Sequence, residues 1–137
     1  MSKIKRVNIK ELELLSHRDM VRFALFCAEQ VKEGWRDIPE CVSAIETVKR
    51  WLEGKATALE CSEAAYAAST TVYAGTSATY NTYNTAQAAA SDEYASYYAC
   101  AAGGFSSQLV IKEQWEYYEE LLHFDDIAEK LLLGGVV

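Results

Sequence analysis

At 137 residues the chain reads as one domain, long enough to bury a real core. Thirteen basic residues against 20 acidic ones give a formal charge of −7, which argues against a nucleic-acid-binding surface and fits a soluble protein or one with a basic partner. Half the residues are hydrophobic and 24% are charged, an ordinary balance for a globule.

Residues 1–7 read as a loose basic start. No apolar stretch follows them, so a secretory signal is not expected and a cytoplasmic location is. Asn8 with Glu11 spells a capping box for a short helix through Leu15. Ser16 with Asp19 opens a second helix, on which Met20, Ala24, Cys27, Ala28 and Val31 recur at helical spacing beside Phe23, and Gly34 closes it. Pro39 suits a first helical turn, where its missing N–H has no partner to lose. Cys41, Ile45, Val48 and Leu52 form the apolar stripe of that helix, and Gly54 ends it.

Thr57 with Glu60 opens the most unusual stretch. Ala64 to Ser91 carries no charge, and Asp92 and Glu93 are the only charged residues before Lys112. It is rich in Ala, Ser, Thr, Asn and Tyr. Alanine favours helix and lets helices approach closely. Tyr66, Tyr73, Tyr80 and Tyr94 share a seven-residue register, with Tyr83 and Tyr97 three residues after two of them. This predicts two helices, roughly 57–74 and 77–102, broken at Gly75 and ended by Gly103 and Gly104, with the phenol rings turned inward. Ser, Thr and Asn are too frequent for a membrane span. The alternative is a disordered polar-aromatic tract.

Ser106 or Ser107 can cap a helix carrying Leu109, Val110, Trp115, Tyr118, Leu121 and Leu122. A last helix, roughly 125–133, carries Ile127, Leu131 and Leu132. The residues Gly134 to Val137 read as loose. The expected fold is all-α: a compact bundle of six or seven helices around an Ala/Tyr-rich helical hairpin, spanning residues 1–137 as a single domain.

Cys27, Cys41, Cys61 and Cys100 form no CxxC pair and read as reduced, small hydrophobes. Glu120 and His123 form a Glu-x-x-His pair, but a di-iron site needs a second such pair, and Leu14 stands three residues before His17, the other histidine. A Cys–His nucleophile from Cys27 or Cys100 with His17 or His123 lacks an accompanying glycine turn. No catalytic residue, metal or cofactor is expected.

Denser is the acidic-aromatic cluster Glu113, Trp115, Glu116, Tyr117, Glu119, Glu120, Asp125, Asp126 and Glu129, a candidate surface for a basic protein partner. The bland alternative is a solvated helix face.

His17-Arg18-Asp19 and Phe26-Cys27-Ala28-Glu29-Gln30-Val31, followed by Pro39, Ala44-Ile45, Trp51-Leu52-Glu53-Gly54 and the alanine-rich double helix, resemble the alanine-rich immunity-protein family of bacteria and their phages. The resemblance covers residues 17–104. It implies an all-α fold and an immunity-like role: a non-enzymatic inhibitor that binds a nuclease, a toxin or a defence component stoichiometrically. Many members carry histidines in the alanine-rich helices; this chain carries none there, so no metal or catalytic role follows from the resemblance. Self-association through the tyrosine seam, as a structural protein, is the alternative function, and a metal-binding helical protein a third.

Overall fold

The computed structural model describes residues 5–71, 77–104 and 108–132, with side chains described for 5–71, 78–104 and 110–123. Seven α-helices occupy these residues: α1 Ile9–Leu12, α2 His17–Gln30, α3 Pro39–Leu52, α4 Ala58–Ser69, α5 Ser77–Ala90, α6 Ala95–Ala102 and α7 Gln108–Leu132. A 3₁₀ turn, Lys32–Gly34, follows α2, and no strand is present among the described residues. Nor is any helix among them long and apolar enough to cross a membrane.

The helix ends obey the local chemistry of the chain. Asn8 and Glu11 close a reciprocal capping box on α1, and Thr57 and Glu60 do the same on α4. The Ser16 hydroxyl accepts from the Asp19 amide. Pro39 stands in the first turn of α3. At the other end of α3, Gly54 has φ +76°, and the amides of Gly54 and Lys55 donate to the carbonyls of Trp51 and Arg50. That is the Schellman arrangement, and only glycine takes this backbone cheaply.

The core is assembled from α2, α3, α5 and α6, with α4 packed most extensively on α5. Phe23, Leu12, Ile45, Val21 and Val48 are its largest fully buried apolar side chains, each contributing roughly 1.5–3 kcal/mol by burial. Around them lie Ala24, Ala28, Ala44, Ala65, Ala68, Ala86, Ala88, Ala89, Ala95 and Ala99, which bring the helices close. Tyr73, Ala74 and Gly75 lie outside the described residues.

Three expectations are corrected. The helix expected over 77–102 is two helices, with Ser91–Tyr94 between α5 and α6. The Ser91 hydroxyl accepts from the Tyr94 amide and closes the turn between them, ahead of α6, whose own N-cap residue is Tyr94. At the C-terminal end, the two expected helices are one: α7 runs without interruption to Leu132. Neither Gly nor Pro lies between Lys112 and Leu132 to break it. The Ser106 and Ser107 caps and the end of the chain from Leu133 lie outside the described residues.

The third correction concerns the tyrosines. Tyr66 is 75% exposed, and Tyr80, Tyr94 and Tyr97 are more than half exposed. The inward stripe of α5 is instead Ala78, Thr79, Thr82, Thr85, Ala86 and Ala89. Small residues win that face because α4 and α2 press against it. Two of the threonine hydroxyls are satisfied within the helix: Thr82 Oγ1 donates to the Thr79 carbonyl and Thr85 Oγ1 to the Asn81 carbonyl, with the Ala24 carbonyl of α2 3.2 Å away.

Candidate ligand cleft

Because α6 folds back along α5, the tyrosines of both helices meet on one side of the molecule. Tyr80 meets Tyr83 edge-on with centroids 6.4 Å apart, Tyr83 meets Tyr98 edge-on at 6.4 Å, and Tyr98 meets Tyr97 at 5.3 Å. Gln87 Nε2 donates to the Tyr83 hydroxyl at 3.1 Å and steadies the middle ring. Burial, helped by the neighbouring phenols, raises the Tyr98 pKa above the ordinary tyrosine value, so this phenol is neutral at physiological pH.

These rings wall a cleft of about 480 Å³. That is within the usual range for small-molecule sites, roughly 300–1,000 Å³. Ala101, Gly104 and Val31 complete its walls, and Asn81, Asn84 and Arg6 supply its polarity. Arg6 belongs to the segment before α1. Its guanidinium donates to the Cys100 carbonyl at 3.1 Å, which holds it at the cleft, and pairs with no carboxylate among the described residues. Gly104 lies close against the end of α6: a Cβ on it would stand 3.0 Å from the Ala101 carbonyl oxygen.

Asn81 and Asn84 are each only 8% exposed, yet neither amide has a hydrogen-bond partner among the described residues. Neither has a fully covered, unpartnered side-chain atom, so both amides keep contact with solvent through the cleft. Two amides that line a cleft and bond to no protein group among the described residues are left to solvent, which a ligand edge can replace.

The acidic-aromatic residues occupy a different place. Glu113, Glu116, Glu119 and Glu120 are exposed on α7. Trp115 is engaged internally: its indole N–H donates to the Lys5 carbonyl, and its ring meets Tyr118 edge-on at 5.5 Å. Tyr117 stacks on Phe26 with centroids 4.5 Å apart. The side chains of Asp125, Asp126 and Glu129 lie outside the described residues.

His17 and the cysteines serve the fold. His17 Nε2 donates to the Ala88 carbonyl at 2.7 Å, and its other ring nitrogen is 3.5 Å from Asp92. Cys27, Cys41 and Cys61 are buried and Cys100 half-buried, all as free thiols. Burial raises the Cys27 pKa far above the ordinary thiol value. Cys100 Sγ donates to the Val7 carbonyl at 3.7 Å. His123 is exposed, and no three His, Cys, Asp or Glu side chains gather among the described residues as a metal set would.

No family model, no curated protein and no solved structure matches the chain.

Sequence reasoning placed the tyrosines on helices but missed the cleft. The available signal was Asn81 and Asn84 beside Tyr80 and Tyr83: two amides and two rings within five residues of one helix.

Proposed function

We propose that this protein acts by binding and not by catalysis, and that its ligand sits in the tyrosine–asparagine cleft. The observation that carries this is the pair of unpartnered amides on Asn81 and Asn84. A flat ligand edge can replace the solvent at these two amides, and their fixed placement on one helix lowers the ordering cost of binding. The described lining residues are phenols, amides, one guanidinium and small apolar groups. None of these exchanges protons readily near neutrality, as general acid–base catalysis requires. The test is to denature protein freshly isolated from expressing cells and quantify released small molecules by mass spectrometry. About one molecule per chain, absent from the Asn81→Leu/Asn84→Leu variant, supports the proposal. An equal yield from both proteins puts the ligand elsewhere, and no ligand from either contradicts it.

A second reading keeps the immunity-like role suggested by the resemblance: stoichiometric inhibition of a basic nuclease or toxin. What favours it is the spacing of Glu113, Glu116 and Glu120, exposed on one face of α7. Reversing these three charges to lysine would abolish a one-to-one complex with such a partner. A complex that survives the reversal would remove α7 from the interface.

A further inference from the structure

We propose that the cleft takes a single mononucleotide: the base lies against the tyrosine rings, Asn81 and Asn84 read its edge, and Arg6 holds its phosphate. This rests on the binding function proposed above and names the ligand class.

Three features narrow the chemistry together. Ring walls built from Tyr83, Tyr97 and Tyr98 favour a flat π-system, because offset and edge-on contacts between aromatic groups are attractive. Asn81 and Asn84, one helical turn apart, each present an acceptor oxygen and a donor NH₂ and have no protein partner among the described residues. They therefore suit a flat ligand whose edge alternates donors and acceptors. Nucleobases have such an edge, and asparagine reads it in pairs of hydrogen bonds; a simple aryl acid does not. The third feature is Arg6. It is the only charged residue among the described lining residues, and it spends one donor on the Cys100 carbonyl. Its remaining N–H groups are free for an anion, with the planar fork that phosphate favours.

Size and charge exclude a longer ligand. About 480 Å³ accommodates one nucleotide. A polynucleotide would lay a row of phosphates across a chain of formal charge −7 with one cleft arginine to meet them.

The experiment is isothermal titration of the full chain with AMP, GMP, CMP and UMP, with the four matching nucleosides, and with a short single-stranded oligonucleotide. At least one monophosphate should bind one-to-one, and its nucleoside at least tenfold more weakly, since a charge-assisted contact is lost. Arg6→Gln, at an exposed position, should erase the difference between monophosphate and nucleoside with the helical circular dichroism unchanged. Asn81→Leu should weaken the preferred base and narrow its margin over the other three. The assignment is overturned if no monophosphate saturates the protein, if nucleoside and monophosphate bind alike, or if the oligonucleotide binds more tightly than any monophosphate. Should every nucleotide fail while native protein still releases one small molecule per chain, the nucleotide assignment falls and the binding function stands. Should both fail, both are wrong.

Discussion

Asn81 and Asn84 stand one turn apart on α5, both 8% exposed and both without a protein partner for the amide among the described residues. Both line the cleft and keep contact with solvent there, which leaves the two amides available to a ligand. Stability and function should then pull in opposite directions at these positions. Leucine has the better helix propensity, by roughly 0.5 kcal/mol, and no amide to desolvate. The Asn81→Leu and Asn84→Leu variants should each leave urea-unfolding stability unchanged or raise it by about 0.5–1 kcal/mol, while abolishing ligand release. A loss above about 1 kcal/mol in the free protein would mean that the amides already have partners.

Thr85 makes the contrast. It lies on the same helix and is fully buried, but its hydroxyl donates to the Asn81 carbonyl at 2.6 Å and approaches the Ala24 carbonyl at 3.2 Å. Thr85→Val should therefore cost about 1 kcal/mol in the same unfolding measurement and leave ligand release intact.

His17 ties the start of α2 to the end of α5. The Ala88 carbonyl lies in the last turn of α5, where helix carbonyls lack partners of their own, and the imidazole N–H supplies one. His17 also packs on Trp51, with ring centroids 5.0 Å apart. His17→Phe keeps the ring and loses the hydrogen bond. Thermal or urea unfolding should show a loss of about 1 kcal/mol, and hydrogen exchange should quicken in the last turn of α5.

The thiols and phenols set an alkaline limit. Burial, together with the neighbouring Glu60 charge, pushes the Cys61 pKa up to about 11 from 9.0. Cys27 moves the same way by burial, and so do Tyr98 and Tyr118. For each, the folded pKa exceeds the unfolded one, so the unfolded chain loses its protons first. The stability they contribute is intact below pH 9.0, where unfolded thiols begin to ionise, and is lost as pH rises through the folded values. The melting temperature should hold to about pH 8.5 and then fall steadily, in reducing buffer throughout. At pH 8 a disulfide-exchange reagent should label the half-buried Cys100 first, with Cys27, Cys41 and Cys61 reacting only after unfolding.

What the sequence revealed follows from how local each signal is. The caps at Asn8, Ser16 and Thr57, Pro39 in the first turn of α3 and Gly54 after its end all act within three or four residues, and all were legible. The all-helical fold followed from the same spacing. The facing of α5 was not legible in this way. Its tyrosine seam and its Thr/Ala stripe both have helical periods, and hydrophobicity favours the tyrosines. What decides is how close α2 and α4 come, and that belongs to the whole assembly. The break at Ser91–Tyr94 was locally visible as a serine three residues before Tyr94, but alanine on both sides suggested continuity. The cleft itself needs Arg6 beside Cys100, a contact across 94 positions that no local pattern encodes.

The most direct test is side-chain amide exchange in ¹⁵N-labelled protein, followed by NMR at the NH₂ groups of Asn81 and Asn84. Both should exchange quickly in the free protein, as groups open to the cleft, and slow at least tenfold once the cleft is saturated with its ligand. Slow exchange in the free protein would show the two amides already satisfied from within, and the cleft would lose its claim to be a binding site.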